Sequence, residues 1–201
     1  MNTNEENKEL PWIAAADSPW GIELLDLRPI AQAMLSTSKD KRMAENAVSY
    51  GGEDGSSFWG QMPQDTRKVE MSLSYPIQNK LYPGILFTPH TMEHKWAIYF
   101  DGQFIYFVRS WLREVYAVAE TRQSNNQLIL ENIQGHFFDV EEDAKSTEAI
   151  AHFLLLTHAL DELAPVPLMN DMKDTTDAAG LWSFSLCGKM GLVGVFDNEL
   201  R

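Results

Sequence analysis

The stretch from His90 to Trp111 restricts the fold of this chain more than any other. Two runs rich in aromatic and β-branched residues flank an Asp101-Gly102 pair, and this arrangement predicts a β-hairpin with a two-residue type I′ turn. Such a turn pairs Phe100 with Gln103 and fixes the register of both strands. The same register pairs Ile98 with Ile105, Trp96 with Phe107 and His94 with Arg109.

The two faces of the predicted hairpin differ in composition, because side chains alternate along a strand. One face is almost wholly apolar and is predicted to point into the core; it carries Trp96, Ile98, Phe100, Ile105 and Phe107. The other face carries Tyr99 and Tyr106 and predicts a partly covered or ligand-facing surface. Charged residues gather at the open end, where Glu93 with Lys95 and His94 with Arg109 are placed to form ion pairs.

The rest of the chain predicts an α+β fold, with a twisted antiparallel sheet of about five to eight strands and about two to four helices. Residues 93–133 form its central meander, and the alternating residues 69–75 add a half-buried strand. A further short strand is predicted at 58–62. The clearest helix runs from Thr147 to Leu163, with Thr147 as its N-cap. Residues 1–9 are predicted to be a disordered tail before a single domain at 10–201.

Composition excludes several classes of partner. The 201 residues carry a formal net charge of −13, which argues against binding to nucleic acid or to an anionic membrane, since both need basic surface. A basic protein partner remains compatible with this charge. Cys187 is alone, so no intrachain disulfide can form. The N-terminus lacks a signal-peptide pattern and no apolar run is long enough to span a bilayer, so a cytoplasmic location is expected.

The residues that could act in catalysis or bind a metal ion do not form a known catalytic pattern. His90 and His94 stand four apart, but at a strand entrance they would lie too far from each other to share a metal ion. No nucleophilic triad and no nucleotide fingerprint is found, so neither catalytic residues nor a cofactor are predicted. What remains is a candidate recognition surface at the open end of the hairpin, made of Asp26, Arg28, Glu93, Lys95, Tyr99, Tyr106, Arg109 and Trp111.

Two segments carry a resemblance to a group of uncharacterised bacterial proteins. One is SPWGIELLDLRP followed by LSTSKD, and the other is MEHKWAIYFDGQFIYFVRSW. Both are similar to the family's Leu-Asp-x-Arg-Pro stretch and to its Lys-Trp…Asp-Gly…Arg-Ser-Trp hairpin, over about a third of the chain. The family form often continues with Thr-Gly after Arg-Ser-Trp, whereas this chain has Leu112-Arg113. The resemblance implies a shared fold unit and a shared surface, without an activity.

These observations lead to one leading hypothesis and two alternatives. The leading hypothesis is a non-catalytic cytoplasmic interaction module that binds a basic partner, as acidic immunity-type proteins do. The first alternative is an enzyme or small-ligand-binding protein whose pocket lies at the open end of the 93–111 hairpin. The second is self-association through the Tyr-bearing face of the hairpin.

Overall fold

The computed structural model describes residues 10–139, 142–168 and 172–195. The predicted tail at 1–9 lies outside these ranges. Within them the chain has the predicted α+β fold, with ten strands in two sheets and four α-helices. The helices are α1 (Arg28–Ala31), α2 (Lys41–Val48), α3 (Ala144–Leu154) and α4 (Thr176–Cys187).

The larger sheet contains six antiparallel strands and is built around the predicted meander. Its strands are β3 (Lys68–Pro76), β4 (Gly84–Phe87), β5 (Trp96–Phe100), β6 (Phe104–Arg109), β7 (Glu114–Ser124) and β8 (Gln127–Gly135). They lie in the order β3-β8-β7-β6-β5-β4. Consecutive strands from β4 to β8 are therefore neighbours, and β3 returns to pair with β8.

The smaller sheet combines strands from both ends of the described chain. It contains β1 (Trp12–Ile13), β2 (Leu24–Asp26), β9 (Val166–Leu168) and β10 (Leu192–Val195), in the order β1-β2-β10-β9. Only the β9–β10 pair is parallel in this sheet. Residues of both sheets and of α3 and α4 share one hydrophobic core, so the sequence-distant ends are tied to the meander by apolar burial.

The turn of the central hairpin is longer than the sequence predicts. Phe100 pairs with Ile105 instead of Gln103. The Asp101 carboxylate explains the change, because its Oδ1 accepts hydrogen bonds from the backbone N–H groups of Gln103 and Phe104 at 2.8 and 2.7 Å. This Asx turn competes with the tight type I′ turn. The pairing shifts by two residues, which leaves every side chain on its predicted face.

Both faces of the hairpin are buried, so the prediction of a partly covered or ligand-facing second face is wrong. The apolar face joins the main core, as predicted. The other face lies in a second, smaller core beneath Tyr50 and Phe58, where the Phe58 ring stacks on Tyr99 with 5.4 Å between centroids. Gly55 permits this close cover, because it has a φ of 92° and a Cβ there would lie 2.5 Å from the Tyr99 ring.

Two predicted elements differ in the structure. The long helix begins at Ala144 with Asp143 as its N-cap, whose side chain accepts a hydrogen bond from the Ser146 N–H; the predicted cap, Thr147, is buried in its first turn. The helix also ends earlier, because its last turn widens into a π-helix at Leu155–Ala159. The predicted strand at 58–62 is absent, and a 3₁₀ turn at Ser56–Phe58 stands at its start.

Candidate functional site

The two segments that carry the family resemblance meet at the open end of the hairpin. The Lys95 ammonium donates a hydrogen bond to the Ser36 hydroxyl, with 2.6 Å between Nζ and Oγ. The Ser36 backbone N–H donates to the Glu93 carboxylate at 3.1 Å. Ser36 belongs to the LSTSKD segment and the other two to the hairpin segment. Residues almost sixty positions apart therefore form one polar cluster, which we call the Ser36–Lys95 site.

Lys95 is buried at the centre of this site, with 6 % of its surface exposed. Its ammonium lies 4.2 Å from the centre of the Trp111 ring and 5.0 Å from that of Phe184 on α4, and it also donates to the Met92 carbonyl at 3.2 Å. Burial, together with the nearby charge of Arg109, lowers the pKa of Lys95 to about 8. A neutral amine beside a serine hydroxyl is therefore accessible near neutral pH.

Glu93 stays charged next to Lys95, although no ion pair between the two is among the contacts of the described residues. Burial opposes its charge, but the backbone N–H groups of Ser36 and of Glu93 itself outweigh that effect and lower the pKa of the Glu93 carboxyl. The Glu93 carboxylate therefore holds the backbone of Ser36, and the Ser36 hydroxyl is left to accept the hydrogen bond from Lys95.

Arg109 and Trp111 support the site from the second strand of the hairpin. Arg109 pairs with Trp96 and not with His94, and its guanidinium donates to the carbonyls of Leu186 at 3.0 Å and Ser185 at 2.6 Å. These carbonyls are at the C-terminus of α4, where a cation is favourable. The Trp111 indole donates to the Met92 carbonyl at 2.9 Å. The predicted pairing of His94 with Arg109 is therefore wrong.

Asp26 and Arg28 lie at the same end of the molecule but bind each other. The Arg28 guanidinium donates to the Asp26 carboxylate at 2.6 Å, and this hydrogen bond lowers the pKa of the Asp26 carboxyl. The loop after α4 links the pair to the hairpin. Gly191 accepts a hydrogen bond from the N–H of Leu27, and Gly188 packs so closely on the Glu93 carbonyl that any side chain there would collide with it.

Tyr99 and Tyr106 are the predicted binding residues that the structure separates from this site. Both are buried in the second core, and burial raises the pKa of the Tyr106 phenol to about 12. The Tyr106 hydroxyl donates to the Asp101 carboxylate at 2.7 Å, which lies at the turn end of the hairpin. Their placement on a recognition surface is therefore wrong, because residues 50–58 cover them.

A cleft of about 380 Å³ lies beside the β6–β7 turn, and sequence reasoning missed it. The Asp65 carboxylate and His136 Nδ1 are 3.0 Å apart in its wall. The backbone N–H of Arg67 and then the contact with His136 lower the pKa of the Asp65 carboxyl, so the pair fixes the orientation of the imidazole. The cleft is also lined by Gln61, Gln64, Arg113, Glu114 and Tyr116.

Among the residues that the structure describes, no group of three or more His, Cys, Asp and Glu side chains is arranged to hold a metal ion. In the same ranges no helix is long and apolar enough to cross a bilayer. No protein-family model, curated protein or solved structure matches the chain.

Ser36 was missed as a site residue because nothing in its local sequence marks it as reactive. The LSTSKD segment is typical of a helix cap, and its Asp40 does cap α2. The contact of Ser36 with Lys95 could not be read from the local sequence, because the two residues are 59 positions apart. Ser36 and Lys95 each belong to one of the two segments that carry the resemblance described above, and this was the signal that could have placed both residues in one site.

Proposed function

We propose that the protein is an enzyme of the acyl-transfer type, in which Ser36 is the nucleophile and Lys95 its general base. The contact of 2.6 Å between Lys95 Nζ and Ser36 Oγ carries this proposal. Serine–lysine pairs are a known variant of the serine–histidine arrangement. The first sequence-based alternative, an enzyme at the open end of the hairpin, thus gains a defined pair of groups.

The reaction requires a neutral Lys95 and an ester or amide carbonyl. Lys95 accepts the hydroxyl proton as Ser36 Oγ forms a bond to the carbonyl carbon. The tetrahedral intermediate collapses, the bond to the leaving group breaks, and Lys95 returns the proton to that group. Lys95 then takes a proton from water as the water oxygen attacks the acyl carbon. The bond between the acyl carbon and Ser36 Oγ breaks, the carboxylic acid leaves, and Lys95 returns its proton to Oγ, which restores the hydroxyl and the neutral amine.

Labelling with a fluorophosphonate probe tests this proposal directly. We expect phosphonylation of Ser36, localised by peptide mass spectrometry, because a serine beside a neutral amine is more nucleophilic than one in water. Since the pKa of Lys95 is about 8, the neutral fraction and the labelling rate should rise about five-fold from about pH 7 to about pH 8.

Three variants separate catalysis from stability. Ser36→Ala should abolish the label, and Lys95→Met should slow it by about a hundred-fold or more. Lys95→Arg keeps a cation between the two rings but removes the base, so it should fold and still fail to react. Ser74→Ala, a change of an exposed serine on β3, is the matched control. Labelling of Ser36 no faster than that of exposed serines such as Ser74 contradicts the proposal.

The net charge of −13 supports a second proposal, which retains the leading sequence-based hypothesis. In it the acidic surface binds a basic protein partner in the cytoplasm, and electrostatic steering speeds their association. The test is a pull-down from native lysate at low and high salt, followed by association kinetics with the protein recovered. An association rate that does not fall as salt is added rejects this proposal.

A further inference from the structure

A second concave site lies at the turn end of the hairpin, opposite the Ser36–Lys95 site. Residues 77–83 connect the two edge strands β3 and β4 by crossing this end of the six-stranded sheet, and we call them the strap. The Ile77 N–H donates to the Asn126 carbonyl at 2.8 Å. The Gln123 side chain accepts from the Leu81 N–H at 2.7 Å and donates to the Leu81 carbonyl at 3.0 Å.

The strap, the sheet and the π-helix line a half-open apolar cavity of about 390 Å³. Its wall is formed by Tyr75, Ile77, Leu81, Leu86, Leu128 and Leu155, and by other residues of the strap and the π-helix. In the lining that the structure describes, Lys80 is the one charged residue. This is notable in a chain with a net charge of −13, because acidic side chains outnumber basic ones almost two to one.

The π-helix shapes one side of this cavity. The Leu160 N–H bonds to the Leu155 carbonyl, five residues earlier, at 3.0 Å, and this widened turn places Leu155, Ala159 and Leu160 on the wall. The same turn sets His158 edge-on against Phe87 of β4, with 4.6 Å between ring centroids. Single π-helical turns occur frequently at functional sites, since they re-aim side chains at little cost in helix length.

We propose that this cavity binds an amphipathic monoanion, with the alkyl chain of a medium-length fatty carboxylate inside and its carboxylate at Lys80. An apolar cavity of roughly 150 Å³ suffices for benzene, so about 390 Å³ accommodates a longer alkyl chain. Sites for small ligands typically have apolar walls and a small number of polar groups that orient the ligand. Gln78, Asn79 and Lys80 supply the polar groups, all from the strap.

Titration calorimetry with octanoate and with octanol tests the site and the headgroup separately. We expect octanoate to bind, and Lys80→Gln to weaken it about two- to five-fold, as for an exposed ion pair. Octanol should bind more weakly than octanoate, and its affinity should be the same for Lys80→Gln as for the unmodified protein. Lys68→Gln, a change of an exposed lysine on β3, is the matched control. Ala159→Leu fills part of the cavity and should abolish binding of both ligands.

Methyl chemical shifts of Leu86 and Leu128 in the unmodified protein give a readout that does not depend on any variant. Shifts at both leucines on addition of octanoate support the proposal. Binding without shifts at these leucines, binding that survives Ala159→Leu, or octanol binding as tightly as octanoate overturns it. These outcomes are independent of Ser36 labelling, because the Ser36–Lys95 site lies at the other end of the hairpin.

Discussion

The two ends of the β5–β6 hairpin are held together by different chemistry. At the open end, the buried ammonium of Lys95 and the guanidinium of Arg109 donate hydrogen bonds to a serine hydroxyl and to three backbone carbonyls. At the turn end, the amide of Gln123 and backbone groups hold the strap, and an apolar cavity lies beneath it. Charged side chains fill the open end, whereas a cavity remains at the turn end.

This difference indicates which end of the hairpin can be mutated without a large loss of stability. A buried charge that loses its partners keeps its desolvation cost, and its partners lose their donor, so the open end should be sensitive to single substitutions. Neutral hydrogen bonds contribute about 1 kcal/mol each, so the strap can be loosened without unfolding the sheet. The following predictions test this contrast, beginning with the largest expected effect.

Arg109→Met should lower the free energy of unfolding by about 3 kcal/mol, because it removes two charge-assisted hydrogen bonds to the carbonyls of Leu186 and Ser185. The Leu186 carbonyl keeps the Trp96 indole N–H as a donor at 2.7 Å, so the loss falls mainly on the Ser185 carbonyl. Methionine keeps much of the apolar contact that the arginine makes with Trp96, 4.8 Å from its ring centre. Urea unfolding followed by tryptophan fluorescence measures the change.

Arg122→Gln is the control for this variant. Arg122 forms an exposed ion pair with Glu131 at 2.7 Å on the outer surface of the sheet, and such pairs contribute about 0–1 kcal/mol. If both arginine variants cost the same, the open end is not held by buried charge.

Sequence reasoning identified the meander because its strands are long and their turns are marked by residues suited to left-handed backbone. Asn125 and Asn126 adopt φ values of 52° and 58° at the β7–β8 turn, as a type I′ turn requires. It failed at Asp101 because two turns compete there, and side-chain hydrogen bonding to Gln103 and Phe104 decides between them. The short strands β1 and β9 were missed because they contain two and three residues, too few to show an alternating pattern, and because Pro167 within β9 is unfavourable in a strand.

The candidate site was half predictable for a related reason. One hairpin and its flanking residues contain four members of the site, and strand register alone brings them close together: Glu93, Lys95, Arg109 and Trp111. Ser36 arrives by tertiary packing, which no local pattern encodes. Where the bacterial proteins that the chain resembles often have Thr-Gly, this chain has Leu112-Arg113, in the turn between β6 and β7. Arg113 has a φ of 55°, a conformation that glycine adopts more easily, and it bonds Glu53 at 2.7 Å.

Stability should fall in mild acid because of His158, a half-buried residue beside the strap cavity. Burial, with the nearby charge of His94, lowers the pKa of His158 from 6.5 to about 4. The unfolded chain therefore binds a proton first as the pH falls below 6.5, so this contribution is constant above that value and is lost towards pH 4. At about pH 5 the loss should be roughly 1–2 kcal/mol.

His158→Gln should flatten this part of the pH profile, as measured by urea unfolding between neutral and mildly acidic pH. Ser72→Ala, which alters an exposed serine on β3 and no titratable group, should leave the profile unchanged. If a steep loss of stability in acid persists in the His158 variant, it belongs to the other half-buried histidines, His94 and His152, whose pKa values are also lowered by desolvation.

Gln123→Ala should have the smallest effect on stability, about 1 kcal/mol. It removes two neutral hydrogen bonds to Leu81 at the sheet's end, and each should contribute at the low end of the range of about 0.5–1.5 kcal/mol because water can bond the Leu81 groups that are left. Its effect on the strap should be larger than its effect on unfolding. Hydrogen exchange at the Leu81 amide should accelerate, whereas exchange within β5 and β6 should not change. If Gln123→Ala instead destabilised the whole sheet as strongly as Arg109→Met, the two ends of the hairpin would contribute equally to stability. The strap would then be part of the structural framework, and it could not loosen to admit a ligand.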